Sequence, residues 1–333
     1  MESVALPRQR LSMRAMSKYR VRPLDLSGLK TIPIAARGGK VRAADFAAPY
    51  SKGSGVAGWL DSLPKILAGD SFRFAVEALI RARSAGKPII WGMGGHVIKC
   101  GLATVLTDLM RRGFATAFTM NGSAAIHDFE IAIAGQTSED VEAVLPDGRF
   151  GSAEETGREM NEAIAAAAGD SLGMGEALGA RLARIADPAF APHSLLLQAY
   201  NQGIPVTVHV AIGTDTPHTH PAANAAAIGS TTHHDFRLFC SLVAGMNGGG
   251  VYLNVGSAVV LPEVFLKAVS AVRNLGAPLA EFITINLDFL QHYRPKLNVV
   301  ERPHVNAGGR GIALTGHHEL MVPLLAAALI ECG

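Results

Sequence analysis

The stretch PIIWGMGG (residues 88–95) is a short apolar run that closes in glycines. A helical spacing of apolar residues precedes it over 72–85, and another begins at Val97. A run of this length between two helical patterns is typical of a strand that is buried on both faces. Glycines at its end are typical of a loop where backbone or ligand approaches closely. The stretch therefore predicts an α/β fold.

The same alternation continues along the chain. Further strands are predicted over 114–120, 204–212, 251–255 and 282–286, and helices over 97–112, 193–202, 236–244, 262–275 and 320–330. Residues 136–192 form a charged, Ala-rich helical stretch with breaks at 146–148 and 187–188. Short strands that alternate with helices indicate a mostly parallel sheet with helices on both faces. We expect residues 56–333 to form this single domain, and residues 1–55 to form an N-terminal arm and irregular entry segment.

Composition narrows the class of protein. The formal net charge of the 333 residues is +2, and the basic residues cluster near the N-terminus at Arg8, Arg10, Arg14, Lys18, Arg20 and Arg22. Because no basic face follows and aromatic residues make up only 6%, we expect no nucleic-acid partner. A mean hydropathy of +0.24 predicts apolar surface that is covered in a homo-oligomer, at least a dimer.

Cysteine usage and apolar run length bear on location. The three cysteines form no CxxC pair, which indicates a reducing compartment, and no apolar run approaches the ~20 residues of a membrane helix. We therefore expect a cytoplasmic protein without membrane contact. The Arg-rich, acid-poor start leaves an organellar transit peptide open.

Small or polar residues follow each of five strands. They are Gly94-Gly95-His96, Asn121-Gly122-Ser123, the loop from Thr214 to His220, Asn254 to Ser257, and Asn286-Leu287-Asp288. Ligands of open α/β sheets bind beyond the carboxyl ends of the strands, so this pattern suits a nucleotide-sized ligand. Ordinary turn chemistry is the alternative, because Gly, Asn and Asp end strands in any case. The strict GxGxxG fingerprint is absent, since WGMGGH matches only part of it.

Histidines form the second polar signal. His218 and His220 share a loop with Asp215, His233-His234-Asp235 stand at a predicted helix start that Thr231 or Thr232 could cap, and His317-His318-Glu319 precede the last helix. Such groups hold a divalent metal, bind an anion, act as acid and base, or only cap helices. We predict ligand contact by His218 or His220 and assign no metal site.

Several segments, taken in order, resemble deoxyhypusine synthases over roughly residues 70–330. IKCGLATVLTDLMRRGFATAFTMNGSAA is similar to that family's Ser-Ser-Gly, helix, strand and Thr-Thr-Ala-Gly-Gly. NQGIPVTVHVAIGTD is similar to its Asn-Asn-Ile-Pro-Val strand and Thr-Asp-Gly-Ser, and VYLNVGSAVVLPEVFLKAV to its strand, triple glycine and helix. FITINLD and GHHELMVPLLAAALI resemble its next strand and its closing helix.

The resemblance implies a Rossmann-like fold, a homotetramer, and NAD-dependent transfer of an aminobutyl group from spermidine to a lysine. It implies NAD contacts at His96, Gly101, Thr119, Asn121, Gly122, Asp215, Gly256, Ser257, Asn286, Leu287, Gly316 and His317.

The chain departs from the family where the family's chemistry takes place. Pro303 stands in place of the family's lysine, Lys296 lies seven residues earlier, and Pro262 replaces a histidine. His220 replaces a loop acid, and Phe-Leu-Gln-His-Tyr-Arg (289–294) replaces an acidic run. We therefore expect altered chemistry on a small substrate, with an anion favoured over a polycation. The candidate catalytic residues are His218, His220, Asp288, His292 and Arg294, with Arg294 holding the anion.

Three other functions stay open. One is a polyamine aminobutyl transferase that uses Lys296 or Lys267 in place of the lost lysine. Another is a non-enzymatic protein that binds NAD or serves in assembly. The third is a hydrolase that binds a divalent metal through its paired histidines.

Overall fold

The computed structural model describes residues 17–333 and divides the chain into two compact units, Met1–Arg42 and Ala43–Gly333. In the first unit the described residues carry one 3-10 helix, Ile34–Ala36, and their side chains are exposed. Arg8, Arg10 and Arg14 of the predicted arm lie outside the described residues. The division of the chain after residue 55 stays a prediction.

The second unit contains one sheet of six parallel strands. They are β1 (Ile89–Met93), β2 (Ala117–Asn121), β3 (Val206–His209), β4 (Val251–Val255), β5 (Ile283–Asp288) and β6 (Arg310–Thr315). Their order in the sheet is β3-β2-β1-β4-β5-β6, with every neighbouring pair parallel. This is the strand order of dinucleotide-binding folds, in which the chain reverses direction across the sheet between β1 and β4. The predicted Rossmann-like α/β fold is confirmed.

Helices connect the strands. They are α1 (Gly55–Ser62), α2 (Leu67–Ser84), α3 (Gly95–Lys99), α4 (Ala103–Arg111), α5 (Gly122–Ala134), α6 (Val141–Val144), α7 (Glu154–Asp170), α8 (Met174–Ile185), α9 (Leu195–Asn201), α10 (Ala225–Ala244), α11 (Val260–Asn274), α12 (Tyr293–Pro295) and α13 (His318–Cys332). A π-helical turn, Lys296–Glu301, continues α12.

Alternate strand residues pack against two separate helical layers. Ile90 and Tyr252 pack with Phe239 of α10 and Phe265 of α11, and the ring of Tyr252 stacks on that of Phe265 with centroids 4.1 Å apart. Their neighbours on β1 and β4, such as Trp91, belong to the larger apolar cluster on the other face. Since successive side chains of a strand point to opposite faces, the sheet is covered on both sides, which explains why the strands from β1 to β5 are buried almost throughout.

Three local expectations were wrong. The predicted helix 97–112 is two helices, because Gly101 adopts a φ of +75° between α3 and α4. His233 and His234 lie inside α10 and not at its start, since Asn224 caps that helix through a hydrogen bond from the Ala227 N–H. Strand β6 was missed, because it is an edge strand that mixes exposed and buried residues.

The backbone hydrogen bonds of the sheet continue past the strand ends. The Gly94 N–H donates to the carbonyl of Val255, the Gly256 N–H to Leu287, and the Gly316 N–H to Asp288. The loops after β1, β4, β5 and β6 therefore lie level at one edge of the sheet, where a ligand of this fold is expected.

Within residues 17–333, no helix combines the length and the apolar character that crossing a membrane requires.

Candidate functional site

The loops after β1 and β4 are in contact at the point where the strand order reverses. A Cβ atom on Gly94 would collide with the carbonyl oxygen of Gly256, so only glycine allows this approach. Behind the loops, the buried amide of Asn254 donates to the Ser257 carbonyl at 2.9 Å and to the Asn286 side chain at 2.7 Å. These hydrogen bonds fix the loop after β4 against β5.

The loop after β3 places Asp215 against the start of α5. Its carboxylate lies where a Cβ atom of Gly122 would stand, and its Oδ2 atom is buried without a hydrogen-bond partner. Burial raises the pKa of Asp215 to about 6. A buried carboxylate oxygen without a partner is costly unless a ligand supplies the donor, so Asp215 marks a candidate binding position.

Asp215 lies at the rim of a cleft of about 970 Å³ formed by α5, α7 and the loops between them. The charged and ionisable side chains that line it are Lys99, His127, Glu130, Glu139, Glu155, Glu159 and Asp215. The volume is that of a small-molecule or cofactor pocket. Because carboxylates outnumber basic groups, the cleft favours a ligand that carries positive charge or donates hydrogen bonds.

Glu130 is one of the carboxylates of the cleft that hydrogen bonds hold in place. It accepts hydrogen bonds from the Thr137 hydroxyl and, at 3.2 Å, from that of Thr156, while His127 Nδ1 lies 3.8 Å away. Burial raises its pKa, but the neighbouring His127 imidazole and the hydrogen bond from Thr137 outweigh burial, so the net pKa is lowered. Glu130 is therefore an anion at neutral pH and is fixed in position.

A second polar cluster lies at the ends of β1, β5 and β6. Its nitrogen, sulfur and oxygen donors belong to His96, Cys100 and Glu319, and they lie within 4.8 Å of one another. Among residues 17–333 this is the one group of three such side chains close enough to share a metal ion. Next to it, the buried His318 imidazole lies 3.6 Å from Asp288 Oδ1, and Phe289 stacks on His317.

The structure divides the predicted site residues into two groups along the sheet edge. Asn121, Gly122, Asp215, His218 and His220 lie at the ends of β2 and β3. His96, Gly256, Ser257, Asn286, Leu287, Asp288, Gly316 and His317 lie at the ends of β1, β4, β5 and β6. Thr119 is buried inside β2 with its hydroxyl unpartnered, and Gly101 has open space where a Cβ atom would stand.

Three of the predicted catalytic side chains, those of His218, His220 and Arg294, already have partners within the chain. His218 Nδ1 accepts from the Gly213 N–H, and burial lowers the pKa of His218. His220 Nε2 lies 3.0 Å from Glu154 Oε2, and Arg294 Nε lies 3.3 Å from Glu263 Oε1. His292 stands in extended backbone conformation at the start of the short helix α12, where its side chain makes no capping hydrogen bond. The catalytic roles given to these residues and to Asp288 remain predictions.

Sequence reasoning missed Cys100, His127 and Glu130. Cys100 contacts Glu319 across 219 positions of sequence, so only the strand order brings the two together. His127 and Glu130 are three residues apart on α5, a spacing that places both on one helix face. That spacing was available in the sequence as a signal.

No protein-family model matches the sequence, and no curated protein matches it. Solved structures of similar fold include a conserved putative LOR/SDH protein from Methanococcus maripaludis S2, with 14% identity and a TM-score of 0.50 over 80% of this chain and 71% of that one. They also include a putative deoxyhypusine synthase from Entamoeba histolytica, with 12% identity and a TM-score of 0.47 over 86% and 96% of the two chains.

A third is the ternary complex of AgrE with ornithine and NAD+, with 14% identity and a TM-score of 0.48 over 79% of this chain. This chain spans about a third of the length of AgrE and of the cyanobacterial arginine dihydrolase ArgZ. The resemblance to deoxyhypusine synthase is thus found again as a likeness of fold.

Proposed function

We propose that this chain is an NAD-dependent enzyme that acts on a small, amine-bearing substrate. The observation that carries the proposal is the buried, unpartnered carboxylate oxygen of Asp215 at the edge of a carboxylate-lined cleft. It lies on the carboxyl edge of a sheet whose strand order is that of dinucleotide-binding folds.

The strand edge fits a dinucleotide in part. The backbone of Gly94, Gly95 and Gly256 would contact it at the point of strand reversal. The Asp215 carboxylate occupies the space beside Gly122 at the start of α5, and its negative charge would repel a phosphate there. Phosphate groups therefore fit better beside Lys99, which also lines the cleft. Bound there, NAD would supply a hydride acceptor.

The charges of the cleft favour a cation over the anion that the sequence suggests. His220 and Arg294, the residues expected to hold an anion, each face a glutamate. Glu130, Glu139 and Glu155 line the cleft, and charge-assisted hydrogen bonds from an ammonium group would satisfy such carboxylates. This supports an amine substrate.

The displaced-lysine and paired-histidine alternatives gain no support from the geometry. Lys267 and Lys296 are 61% and 62% exposed and face Glu263 and Glu301, outside the cleft lining. The His218–His220, His233–His234 and His317–His318 pairs lie on three different elements. The remaining alternative, a protein that binds NAD without catalysis, is distinguished from an enzyme by measuring whether NAD+ is reduced when a substrate is added.

Asp215 is the candidate proton acceptor. With a pKa raised by burial to about 6, it is mostly ionised at neutral pH and could accept the proton that a substrate amine or hydroxyl group loses as the substrate is oxidised. Below pH 6 the carboxylate becomes protonated and loses its attraction for a cation. Binding of an amine should therefore weaken as the pH falls through this value.

Calorimetry with NAD+ tests the cofactor half of the proposal. Gly122→Leu should abolish NAD+ binding, because the new side chain displaces Asp215 and obstructs the strand edge. Gly229→Leu is the matched control, since Gly229 lies in α10 with open space around it, and its binding should be unchanged. Absence of NAD+ and NADP+ binding by the wild-type chain would contradict the proposal.

A pair of probe ligands tests the substrate half. We expect 1,4-diaminobutane to bind the NAD+-loaded chain and succinate not to bind. Asp215→Asn should weaken diamine binding by about 10-fold or more, because it removes one charge-assisted hydrogen bond. Reduction of NAD+ in the presence of the diamine would show turnover. If succinate bound more tightly than the diamine, the proposed amine substrate would be contradicted and the anionic substrate expected from the sequence would be favoured.

A further inference from the structure

The His96, Cys100 and Glu319 cluster contains donors of two kinds that zinc prefers. His96 Nε2 lies 3.2 Å from Cys100 Sγ, and Cys100 Sγ lies 3.7 Å from Glu319 Oε2. In a tetrahedral zinc site with bonds of about 2.0–2.3 Å, neighbouring ligand atoms are roughly 3.3–3.6 Å apart. These two distances are close to those between neighbouring corners of such a tetrahedron, and all three donors lie within 4.8 Å of one another.

The fold holds these three side chains together from two directions. His96 and Cys100 are four residues apart on α3 and its last turn, so they share one helix face, and the Cys100 N–H donates to the His96 carbonyl at 2.9 Å. Glu319 lies in the first turn of α13, directly after β6. Strands β1 and β6 end at the same edge of the sheet, which brings both helices to one place.

Neighbouring side chains lie against the three donor residues and orient them. His317 Nδ1 lies 3.8 Å from the second carboxylate oxygen of Glu319. Phe289 lies edge-on to the His96 ring with centroids 6.2 Å apart, and the buried His318 ring is 5.5 Å from that of His96. His318 is 1% exposed, and both of its ring nitrogens lack hydrogen-bond partners. Oriented carboxylates and an aromatic surround are features of zinc centres.

We propose that His96, Cys100 and Glu319 bind one Zn²⁺ ion, with the fourth coordination position left to water or a ligand. Three protein ligands and one open position are the arrangement of catalytic rather than structural zinc sites. The thiolate and carboxylate together carry two negative charges, which balance those of the ion. The site consists of other residues than the paired histidines considered from the sequence, and it does not rest on the proposed function.

Titration of the untagged, metal-free full chain with Co²⁺ tests the site. We expect one equivalent to bind and to give a thiolate-to-cobalt charge-transfer band with the intense visible bands of tetrahedral cobalt. Zn²⁺ should displace the cobalt. Cys100→Ser should remove the charge-transfer band, while Cys240→Ser and Cys332→Ser, which alter the other two cysteines, should retain it.

Zn²⁺ affinity, measured by competition with a chromophoric chelator, tests the other two ligands. His96→Ala and Glu319→Ala should each weaken Zn²⁺ binding by about 100-fold or more. Circular dichroism of each variant shows whether the fold persists without the ligand. Failure of the wild-type chain to give the charge-transfer band, or equal Zn²⁺ affinity of wild type and Cys100→Ser, would overturn the proposal. Either outcome leaves the NAD+ titration interpretable on its own.

Discussion

His209 shows how burial changes the chemistry of a single residue. It ends β3 with its ring edge-on to Phe239, and Nε2 lies 3.0 Å from the Thr207 hydroxyl. Burial lowers its pKa to about 3. In the unfolded chain a histidine takes up a proton near pH 6.5, so between pH 6.5 and 3 the unfolded state binds more protons than the folded state. The contribution of His209 to stability therefore falls as the pH falls through this window.

His209→Gln should remove this pH dependence, because glutamine has no proton to gain. Relative to wild type, the variant should gain roughly 2 kcal/mol between pH 7.5 and pH 4.5, which thermal or urea unfolding at both values would measure. His233→Gln, at an exposed position on α10, is the control and should follow wild type. Parallel pH profiles of His209→Gln and wild type would contradict a neutral, buried His209.

Asp235 contributes with the opposite sign. Burial raises its pKa to about 7, although its carboxylate accepts hydrogen bonds from the Val208 and Gly175 N–H groups. Between about pH 4 and pH 7 the folded state therefore binds more protons than the unfolded state, and this contribution to stability falls as the pH rises. The pH-dependent contributions of His209 and Asp235 to stability partly cancel in the wild-type chain. The contribution of His209 is therefore measured as the difference between His209→Gln and wild type.

At the scale of elements, a buried side chain of one helix caps the start of another, a contact that the sequence alone does not predict. Asp128 of α5 accepts hydrogen bonds from the Ser194 hydroxyl and from the Leu195 and Leu196 N–H groups at the start of α9. It is fully buried, and burial raises its pKa to about 6 against these hydrogen bonds. Asp128 therefore joins two helices and satisfies donors that water cannot reach.

Asp128→Ala should reduce the free energy of unfolding by at least about 2 kcal/mol, because it leaves several buried donors without a partner. Asn224→Ala removes the exposed cap of α10 and should cost only about 1 kcal/mol. Urea unfolding of both variants and wild type measures the difference. An Asp128→Ala chain as stable as Asn224→Ala would mean that water replaces the lost carboxylate.

Buried strands were the elements most accurately predicted from the sequence. Val251–Val255 matches its prediction residue for residue, because a strand covered on both faces leaves a short apolar run between glycines, here interrupted by Asn254 alone. The edge strand β6 lacks that run, and the start of α10 lay hidden in the Ala-rich segment before His233. The polar residues at the strand ends could be predicted as well, because each of them directly follows an apolar run that the sequence shows.

The grouping of those polar residues could not be predicted. It depends on the strand order, which places β1 between β2 and β4 and so separates Asp215 from His318. The lining of the cleft comes from α5, α7 and the segment between them, where the sequence shows only charge and alanine. An anionic substrate was expected because charge was counted along the sequence, whereas the ion pairs of His220 and Arg294 arise in the fold.

At the scale of the whole molecule, exposed apolar side chains follow the last strands of the sheet. Phe289, Leu290 and Tyr293 come after β5, and Leu290 and Tyr293 are 54% and 69% exposed. Leu320, at the start of α13, is 66% exposed. Large apolar groups on adjoining segments, in a chain of positive mean hydropathy, are typical of a surface that another subunit covers.

We therefore expect the chain to form a dimer or tetramer at micromolar concentration, which light scattering coupled to size exclusion would measure against the 34.9 kDa of one chain. Leu290→Glu with Tyr293→Glu should lower the measured mass, because burying two carboxylates in an apolar interface is unfavourable. Leu275→Glu, which adds one charge at an 83% exposed position after α11, should leave the mass unchanged. If the wild-type protein eluted at the mass of one chain, the predicted dimer or tetramer would be contradicted. An oligomer that Leu290→Glu with Tyr293→Glu fails to dissociate would place its interface elsewhere on the molecule.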